Sequence, residues 1–194
     1  RKDLVETVPV RIPPGIEKLM VAYHVADVNH KDFHLLEAAR GVLAGGKGSR
    51  LYRQLVDSGV ATGVDIENQD AAHPGLFVFF VNLQKGKSAK AAIKIIENEM
   101  AKFTKTPVSE KELSRALALH RFGIYDGMVS NASKAHFLGF YETVAGRFER
   151  GVDIVDSFAK VTPAELLAVS KKYFSNQKKT VIIGVSAPEK GKKK

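Results

Sequence analysis

A cluster of three glycines constrains the fold of this 194-residue chain more than any other sequence feature, because Gly45, Gly46 and Gly48 interrupt a helical pattern. Glycine adopts positive φ angles and lets another backbone or a ligand approach closely. A second helical pattern leaves the cluster and covers residues 49–59. The cluster therefore predicts either a tight turn between two helices or a phosphate-binding loop at the start of a helix.

The phosphate-binding alternative is disfavoured by the order of the residues. A P-loop has the order G-x-x-x-x-G-K-S/T and follows a strand. Here Lys47 precedes the last glycine, and a helical pattern leads into the cluster. The stretch also lacks the second glycine of the G-x-S-x-G motif around a serine nucleophile. A helix-to-helix turn explains the glycines without any ligand.

Composition excludes several classes of protein. The sequence contains no cysteine, so disulfides and thiolate metal ligands are excluded. It has no run of about 18 apolar residues that would span a membrane. The formal charge of +9 suggests nucleic acid as a partner, but four terminal lysines account for much of it, and no aromatic residues are interleaved with the others. We therefore expect a globular protein that binds no nucleic acid.

Hydrophobic periodicity predicts strands and helices in the order β, α, α, β, β, α, α, α, α, α, β. Strands are expected at residues 18–28, 61–69, 75–84 and 180–185, the middle two as an antiparallel hairpin. N-terminal signals place helix starts at Asp32, Ser49, Ser88, Ser109, Ser130 and Thr162, and a further helix is expected at 153–158. The pattern predicts a single α+β domain with a mostly antiparallel or mixed sheet and helices packed on one face.

Proline and lysine content suggest the ends of the domain. Residues 1–15 contain three prolines and are expected to form an extended entry segment. Residues 16–187 are expected to form the folded domain, and residues 188–194 a basic tail.

One helix carries part of a metal-binding motif. The inverted zinc motif H-x-x-E-H needs a second histidine directly after the glutamate. His34 and Glu37 have the required spacing, but the next residue is Ala38. We therefore expect no metal in this chain. His120 and His136 are expected to be surface or half-buried helix residues.

Several segments, in order along the chain, resemble the C-terminal half of the pitrilysin and mitochondrial processing peptidase family of zinc metallopeptidases. The most specific are the glycine-rich turn followed by Ser-Arg-Leu-Tyr and the helix start Val-Thr-Pro-Ala-Glu-Leu. The resembling segments are residues 20–25, 32–43, 45–55, 75–77, 109–116, 135–139, 161–166 and 180–184.

The resemblance implies two similar halves that close like a clamshell, with zinc bound only in an N-terminal half that carries H-x-x-E-H. Ala38 would then be a degenerate position of that motif. Family members place a substrate-binding arginine and tyrosine seven residues apart after the turn. The matching positions here are Val56 and, allowing one deletion, Thr62, and neither side chain can do that work. The resemblance thus implies a non-catalytic half that is inactive alone.

The resemblance leaves two roles open. In the first, the chain forms a wall of a peptide-binding chamber and pairs with a zinc-bearing half in the same or another polypeptide. Peptide would contact the turn residues Gly45, Gly46, Lys47, Gly48, Ser49 and Arg50, and would add to an exposed edge strand. In the second, the chain is a stand-alone, non-enzymatic assembly subunit of the same fold. A bacterial periplasm or cytoplasm is expected rather than a mitochondrion.

Overall fold

The computed structural model describes residues 4–10, 12–175 and 178–186. These residues form five strands and six α-helices, and a π-helical turn at Tyr52–Val56 and a 3-10 turn at Phe158–Lys160 supplement them. In chain order the elements are β1 Leu4–Val10, β2 Glu17–His24, α1 Phe33–Ala44, β3 Ala61–Asn68, β4 Leu76–Leu83, α2 Ala89–Phe103, α3 Glu110–Gly127, α4 Asn131–Ala145, α5 Glu149–Ser157, α6 Pro163–Phe174 and β5 Lys179–Ser186. The predicted α+β class is confirmed.

The strands form one mixed sheet in the order β1-β5-β2-β4-β3. The pairs of β5 with β2, β2 with β4 and β4 with β3 are antiparallel, so the predicted hairpin is confirmed. β1 lies in the segment expected to be an extended entry, and it pairs in parallel with β5 from Leu4 opposite Thr180 to Val10 opposite Ser186. The sequence pattern did not predict this pairing. The expected basic tail lies outside the described residues.

The main core lies between one face of the sheet and the helices. Alternation along β2 points Leu19, Val21 and Tyr23 towards this core, where each is buried. The strand register places Val21 opposite Phe79 of β4 and Val181 of β5, which extends the same apolar face across the sheet. The other face is less covered, because residues such as Met20 and Phe80 are only half-buried. The predicted packing of helices on one face is thus confirmed.

A smaller core attaches the C-terminal helices to α1. Its buried members come from the loop before α1, from α1, α4 and α5, and from the 3-10 turn after α5: Val28, Phe33, Tyr141, Ile154 and Phe158. No helix in the described part of the chain is long and apolar enough to cross a membrane.

Two helix starts use their polar residues differently from the prediction. Asp32 precedes α1 but makes no side-chain cap. Its carboxylate instead accepts hydrogen bonds from Lys172 Nζ at 2.6 Å and Tyr173 Oη at 3.1 Å, which ties α1 to α6. Asp32 is thus the N-cap residue by position, as predicted, but its side chain binds these tertiary partners and not the first amides of the helix.

The spacing of Ser109 and Glu112 is that of a capping box, but only half of the box is formed at the start of α3. Ser109 Oγ accepts a hydrogen bond from the Glu112 N–H at 3.2 Å, but the Glu112 carboxylate binds Arg50 instead of returning to Ser109. A complete capping box is present at α6, where Thr162 and Glu165 bond each other reciprocally.

Two predicted helices have different extents. The segment after the glycine-rich turn is a π-helical turn rather than a regular helix, since the Asp57 N–H donates to Tyr52 O, five residues earlier. α5 begins at Glu149, before the predicted start at residue 153. Gly151 lies within α5, and its lack of a Cβ lets the rings of Phe137 and Tyr141 pack against the helix backbone.

Candidate functional site

The glycine-rich turn has the tight geometry that the sequence predicted. Gly45 ends α1, and its N–H donates to Gly41 O at 2.9 Å. A Cβ at Gly45 would overlap that same carbonyl oxygen. Gly46 follows with a φ of +79°, which side chains rarely adopt. Both glycines are therefore required by the backbone path.

The residues that follow the glycines are bound within the chain. Ser49 is fully buried, and its Oγ donates to Gly46 O at 2.7 Å. Arg50 donates through Nε and Nη2 to the two oxygens of Glu112 at 2.7 and 2.8 Å, and through Nη1 to Glu99 at 3.3 Å. The hydrogen bonds from Arg50 lower the pKa of Glu112. The guanidinium of Arg50 is thus held by carboxylates of its own chain.

Part of the turn stays open to solvent. Arg115 Nη2 donates to Gly48 O at 2.9 Å, and the Arg115 guanidinium fills the space where a Cβ of Gly48 would lie. Gly46 and Lys47 are the exposed residues of the turn. Contact of the turn with peptide stays a prediction, and these two residues have the surface for it.

The three degenerate positions lie in ordinary structural environments. Ala38 is buried in the main core, and Val56 packs against that core. Thr62 lies at a bulge in β3, where two residues oppose one on β4, and its Oγ1 donates to Asn82 O at 3.2 Å. Their assignment as counterparts of family positions stays a prediction.

The residues around His34 do not fit a zinc ion. Within residues 4–10, 12–175 and 178–186, no group of three histidine, aspartate or glutamate side chains could hold a metal. His34 is half-buried, and burial together with the charge of Arg150 lowers its pKa. Glu37 is held by Asn68, Arg40 and His120.

A cavity of about 830 Å³ opens beside Glu37, bounded by α1, β3, the C-terminal half of α3, α4 and α5. We call it the polar cavity. Its polar lining includes Glu37, Arg40, Asn68, Asp70 and His120, and its apolar lining includes Phe33, Phe137, Phe140 and Tyr141. Its residues are far apart in the chain, so no local sequence motif marks it. A smaller pocket of about 480 Å³ shares Arg40 and His120 with it and is also lined by Gly45 and Gly46.

Glu37 is the centre of a hydrogen-bonded network in the wall of this cavity. Its Oε1 accepts from Asn68 Nδ2 at 2.9 Å, and its Oε2 accepts from Arg40 Nε at 3.1 Å. Arg40 Nη2 donates to His120 Nδ1 at 2.7 Å, which leaves the imidazole proton on Nε2, 3.2 Å from Glu37 Oε2. Burial lowers the pKa of His120. Arg40 therefore balances the charge of Glu37, while His120 bridges them as a neutral ring.

Two further polar residues of the cavity, Asp70 and Asn68, have fewer favourable partners. Desolvation, followed by the charge of Glu37, raises the pKa of Asp70 to about 6, and Tyr141 Oη donates to the Asp70 carboxylate at 3.4 Å. Asn68 is 4% exposed, and its Oδ1 has no hydrogen-bond partner among the described residues. An unpaired buried acceptor is uncommon in native proteins. The cavity thus exposes the Asp70 carboxyl group, whereas the unpaired oxygen of Asn68 is buried in its wall.

Solved structures resemble this chain over most of its length. A protease from Helicobacter pylori has a TM-score of 0.83 and 23% identity, covering 96% of this chain and 45% of that one. An inactive peptidase domain from Bordetella parapertussis has a TM-score of 0.78 and 22% identity, covering 94% and 98%. A chain of complex III2 from Candida albicans has a TM-score of 0.82 and 9% identity, covering 94% and 46%. The TM-scores show a shared fold.

The chain spans less than half the length of the H. pylori protease that it matches. A family model described as the peptidase M16 inactive domain matches residues 3–119, which is more than half of the chain. That segment contains the glycine-rich turn, the Glu37 helix and most of α3. The chain belongs to the peptidase M16 inactive-domain family.

Proposed function

We propose that this chain is the non-catalytic C-terminal half of a two-part zinc metallopeptidase and forms a wall of the chamber that encloses the peptide. Its membership in the inactive-domain family carries the proposal. The coverage of the H. pylori protease supports it, because more than half of that protease has no counterpart in this chain. A zinc-bearing half would occupy the remaining length.

An exposed apolar stripe on α3 supports pairing with another half. Leu119, Phe122 and Tyr125 are 48%, 67% and 52% exposed, and Val129 just beyond α3 is 76% exposed. Residues spaced three or four apart share one side of a helix. Contiguous exposed apolar surface commonly marks a protein interface. We infer that this stripe packs against the zinc-bearing half.

The free edge of the sheet supports peptide binding. β3 is an edge strand, so an extended peptide could pair with its outer side. The Asp65 carboxylate accepts a hydrogen bond from the Ile66 N–H at 2.8 Å, so an added strand would compete with Asp65 for this donor. The exposed Gly46 and Lys47 would contact the same peptide in this proposal.

The proposal is tested by purifying this chain alone and together with its zinc-bearing half. Bound zinc is measured by mass spectrometry, and cleavage is measured with a fluorogenic peptide library. We expect the chain alone to hold no stoichiometric zinc and to cleave nothing, and the pair to show cleavage that a chelator abolishes. Stoichiometric zinc with chelator-sensitive cleavage by the chain alone would contradict the proposal.

The interface is tested with Phe122→Ser in the same pair of proteins. Because Phe122 is exposed in this chain, the free energy of unfolding should change by less than about 0.5 kcal/mol. Association with the zinc-bearing half should weaken by about tenfold or more, since buried aromatic residues dominate interface energies. Phe148→Ser, at an exposed phenylalanine outside the stripe, is the control and should bind normally. Equal affinities of the two variants for the zinc-bearing half would show that the stripe is not part of the interface.

A second candidate is an assembly subunit without a role in cleavage. The similarity in fold to a chain of complex III2 favours it, since that protein is part of a multi-subunit complex. The same experiment separates the two candidates if the zinc-bearing half is also assayed alone. Stable binding of this chain to that half, with equal cleavage by the half alone and by the pair, would favour the assembly role.

A further inference from the structure

We propose that residues 121–140 unfold locally as one unit while the rest of the chain stays folded, and that docking of the zinc-bearing half suppresses this opening. We call these residues the outer segment. They comprise the last turns of α3, the connection to α4 and most of α4. The local opening concerns this chain alone, whereas its suppression by docking rests on the proposed function.

Two anchors bound the outer segment. His120 precedes it, and its Nδ1 accepts a hydrogen bond from Arg40 at 2.7 Å while its ring packs edge-on against Phe158. Tyr141 follows the segment, is 8% exposed and donates a hydrogen bond to Asp70. Tertiary contacts therefore fix both ends of the segment to the body of the protein.

Between these anchors the outer segment has little packing. None of residues 121–140 is buried, whereas α2 has buried residues such as Ala92, Ile96 and Met100 along its length. The side chains of the segment make no hydrogen bond or ion pair to other parts of the chain that the structure describes, and the bond between Ser130 and Ser133 is local. Few buried contacts are typical of regions that open without unfolding of the core.

Glycines weaken the helices of the outer segment. Gly123 in α3 lies three residues after His120, and Gly139 in α4 lies two residues before Tyr141. No atom lies within 4 Å of the Cβ position at either glycine, so packing does not require them. Glycine within a helix is less favourable than alanine, because it loses more conformational freedom on folding. The segment therefore has a weak point next to each anchor.

The polar cavity lies beneath the outer segment. Ile124, Met128 and Phe137 of the segment line it, so the inner side of the segment faces a space of about 830 Å³ instead of a packed core. Protein interiors normally contain few voids of this kind. Opening of the segment therefore breaks few apolar contacts and removes one wall of the cavity.

Docking of the zinc-bearing half would favour the closed segment. Phe122, Tyr125 and Val129 of the apolar stripe belong to the outer segment. A partner that binds the closed form and not the opened form stabilises the closed form by mass action. Assembly of the two halves would therefore fix this wall of the polar cavity in place.

The local opening is tested by hydrogen–deuterium exchange of this chain alone, measured by mass spectrometry. We expect the backbone amides of residues 121–140 to exchange about 100-fold faster than those of α2, after correction for intrinsic rates, because the opening leaves the core folded. Equal protection of the two regions would overturn the proposal.

Variants separate local opening from unfolding of the whole chain. Gly123→Ala and Gly139→Ala should each slow exchange of the outer segment about fivefold, because alanine favours the helical form. Asn98→Ala, at an exposed position of α2, is the matched control, since it introduces the same helix former outside the segment. It should leave exchange of the outer segment unchanged. If Asn98→Ala slows that exchange as much as the glycine variants do, the segment exchanges through global unfolding and the proposal is overturned.

The same measurement on the assembled pair tests the effect of docking. At saturating concentrations of the zinc-bearing half, exchange of residues 121–140 should slow by about tenfold or more. Stable association without slower exchange would overturn the suppression and leave the pairing of the halves intact. Failure of the halves to associate would contradict the proposed function together with the suppression, while exchange of the chain alone decides the local opening.

Discussion

The glycine-rich turn and the polar cavity lie next to each other but differ in how their polar groups are used. In the turn, Ser49 donates to the backbone and Arg50 is held by two carboxylates, so these side chains have partners in the chain itself. In the cavity, Asn68 keeps an unpaired acceptor and Asp70 an elevated pKa. The difference teaches that the polar side chains after the glycines are satisfied within the chain, whereas the less satisfied polar groups lie in a cavity whose residues are far apart in the sequence.

The strongest test of the turn's structural role is Gly45→Ala. Its Cβ would overlap the Gly41 carbonyl oxygen, so the backbone must shift. We expect the free energy of unfolding, measured by urea denaturation, to fall by about 3 kcal/mol. Gly139→Ala in α4 is the control, since nothing lies near its Cβ position and alanine favours helix. A loss below about 1 kcal/mol in Gly45→Ala would show that the backbone of the turn can shift to accept a side chain.

The next largest effect is expected for Glu112→Gln, which removes the negative charge of the main partner of Arg50. We expect a loss of about 2 kcal/mol, because the partly buried guanidinium then loses its bidentate ion pair and keeps Glu99 as its charged partner. The pKa of Glu112 is lowered in the folded state, so its stabilisation is complete above the unfolded pKa and is lost as pH falls through the folded value. The variant should therefore lose less stability on acidification than the wild type. Identical acid profiles would contradict this.

A smaller effect on folding is expected for Gly46→Val, which places a β-branched residue at a φ of +79°. We expect a loss of about 1–2 kcal/mol, and a smaller loss for the control Gly46→Asn, since asparagine tolerates this region. If the turn contacts peptide, Gly46→Val should lower peptide turnover by the assembled enzyme more than its melting curve explains. A loss of turnover that melting fully accounts for would leave the turn with a structural role alone.

The smallest effect is expected in the cavity, for Asp70→Asn. The folded-state pKa of about 6 lies above the ordinary value, so the folded protein binds more protons between them and loses stability as pH rises through that window. Asp70→Asn should remove this decline and raise stability at pH 7 by less than about 1 kcal/mol, because solvent screens an exposed carboxylate. Lower stability of the variant at pH 7 would show that the charged form of Asp70 is stabilised by its surroundings in the folded protein.

Local signals predicted much of the fold. Ser88 and Ser130 cap the helices that follow them, and Gly146 ends α4 with a positive φ, because each of these interactions involves residues within one turn of the chain. The hairpin of β3 and β4 follows from a short connection for the same reason. Asp32 departs from its predicted role where a distant partner offers a better contact than the local amides.

The amino-acid sequence by itself determined the α+β class, the tight turn at Gly45 and Gly46, and most of the helices, since these depend on spacing and on backbone conformations over a few residues. The tertiary structure alone decided that β1 pairs with β5 and that Glu37 meets Asn68 and His120. Such contacts join segments far apart in the chain, and no local pattern encodes them. They form only when the packing of the core has brought those segments together.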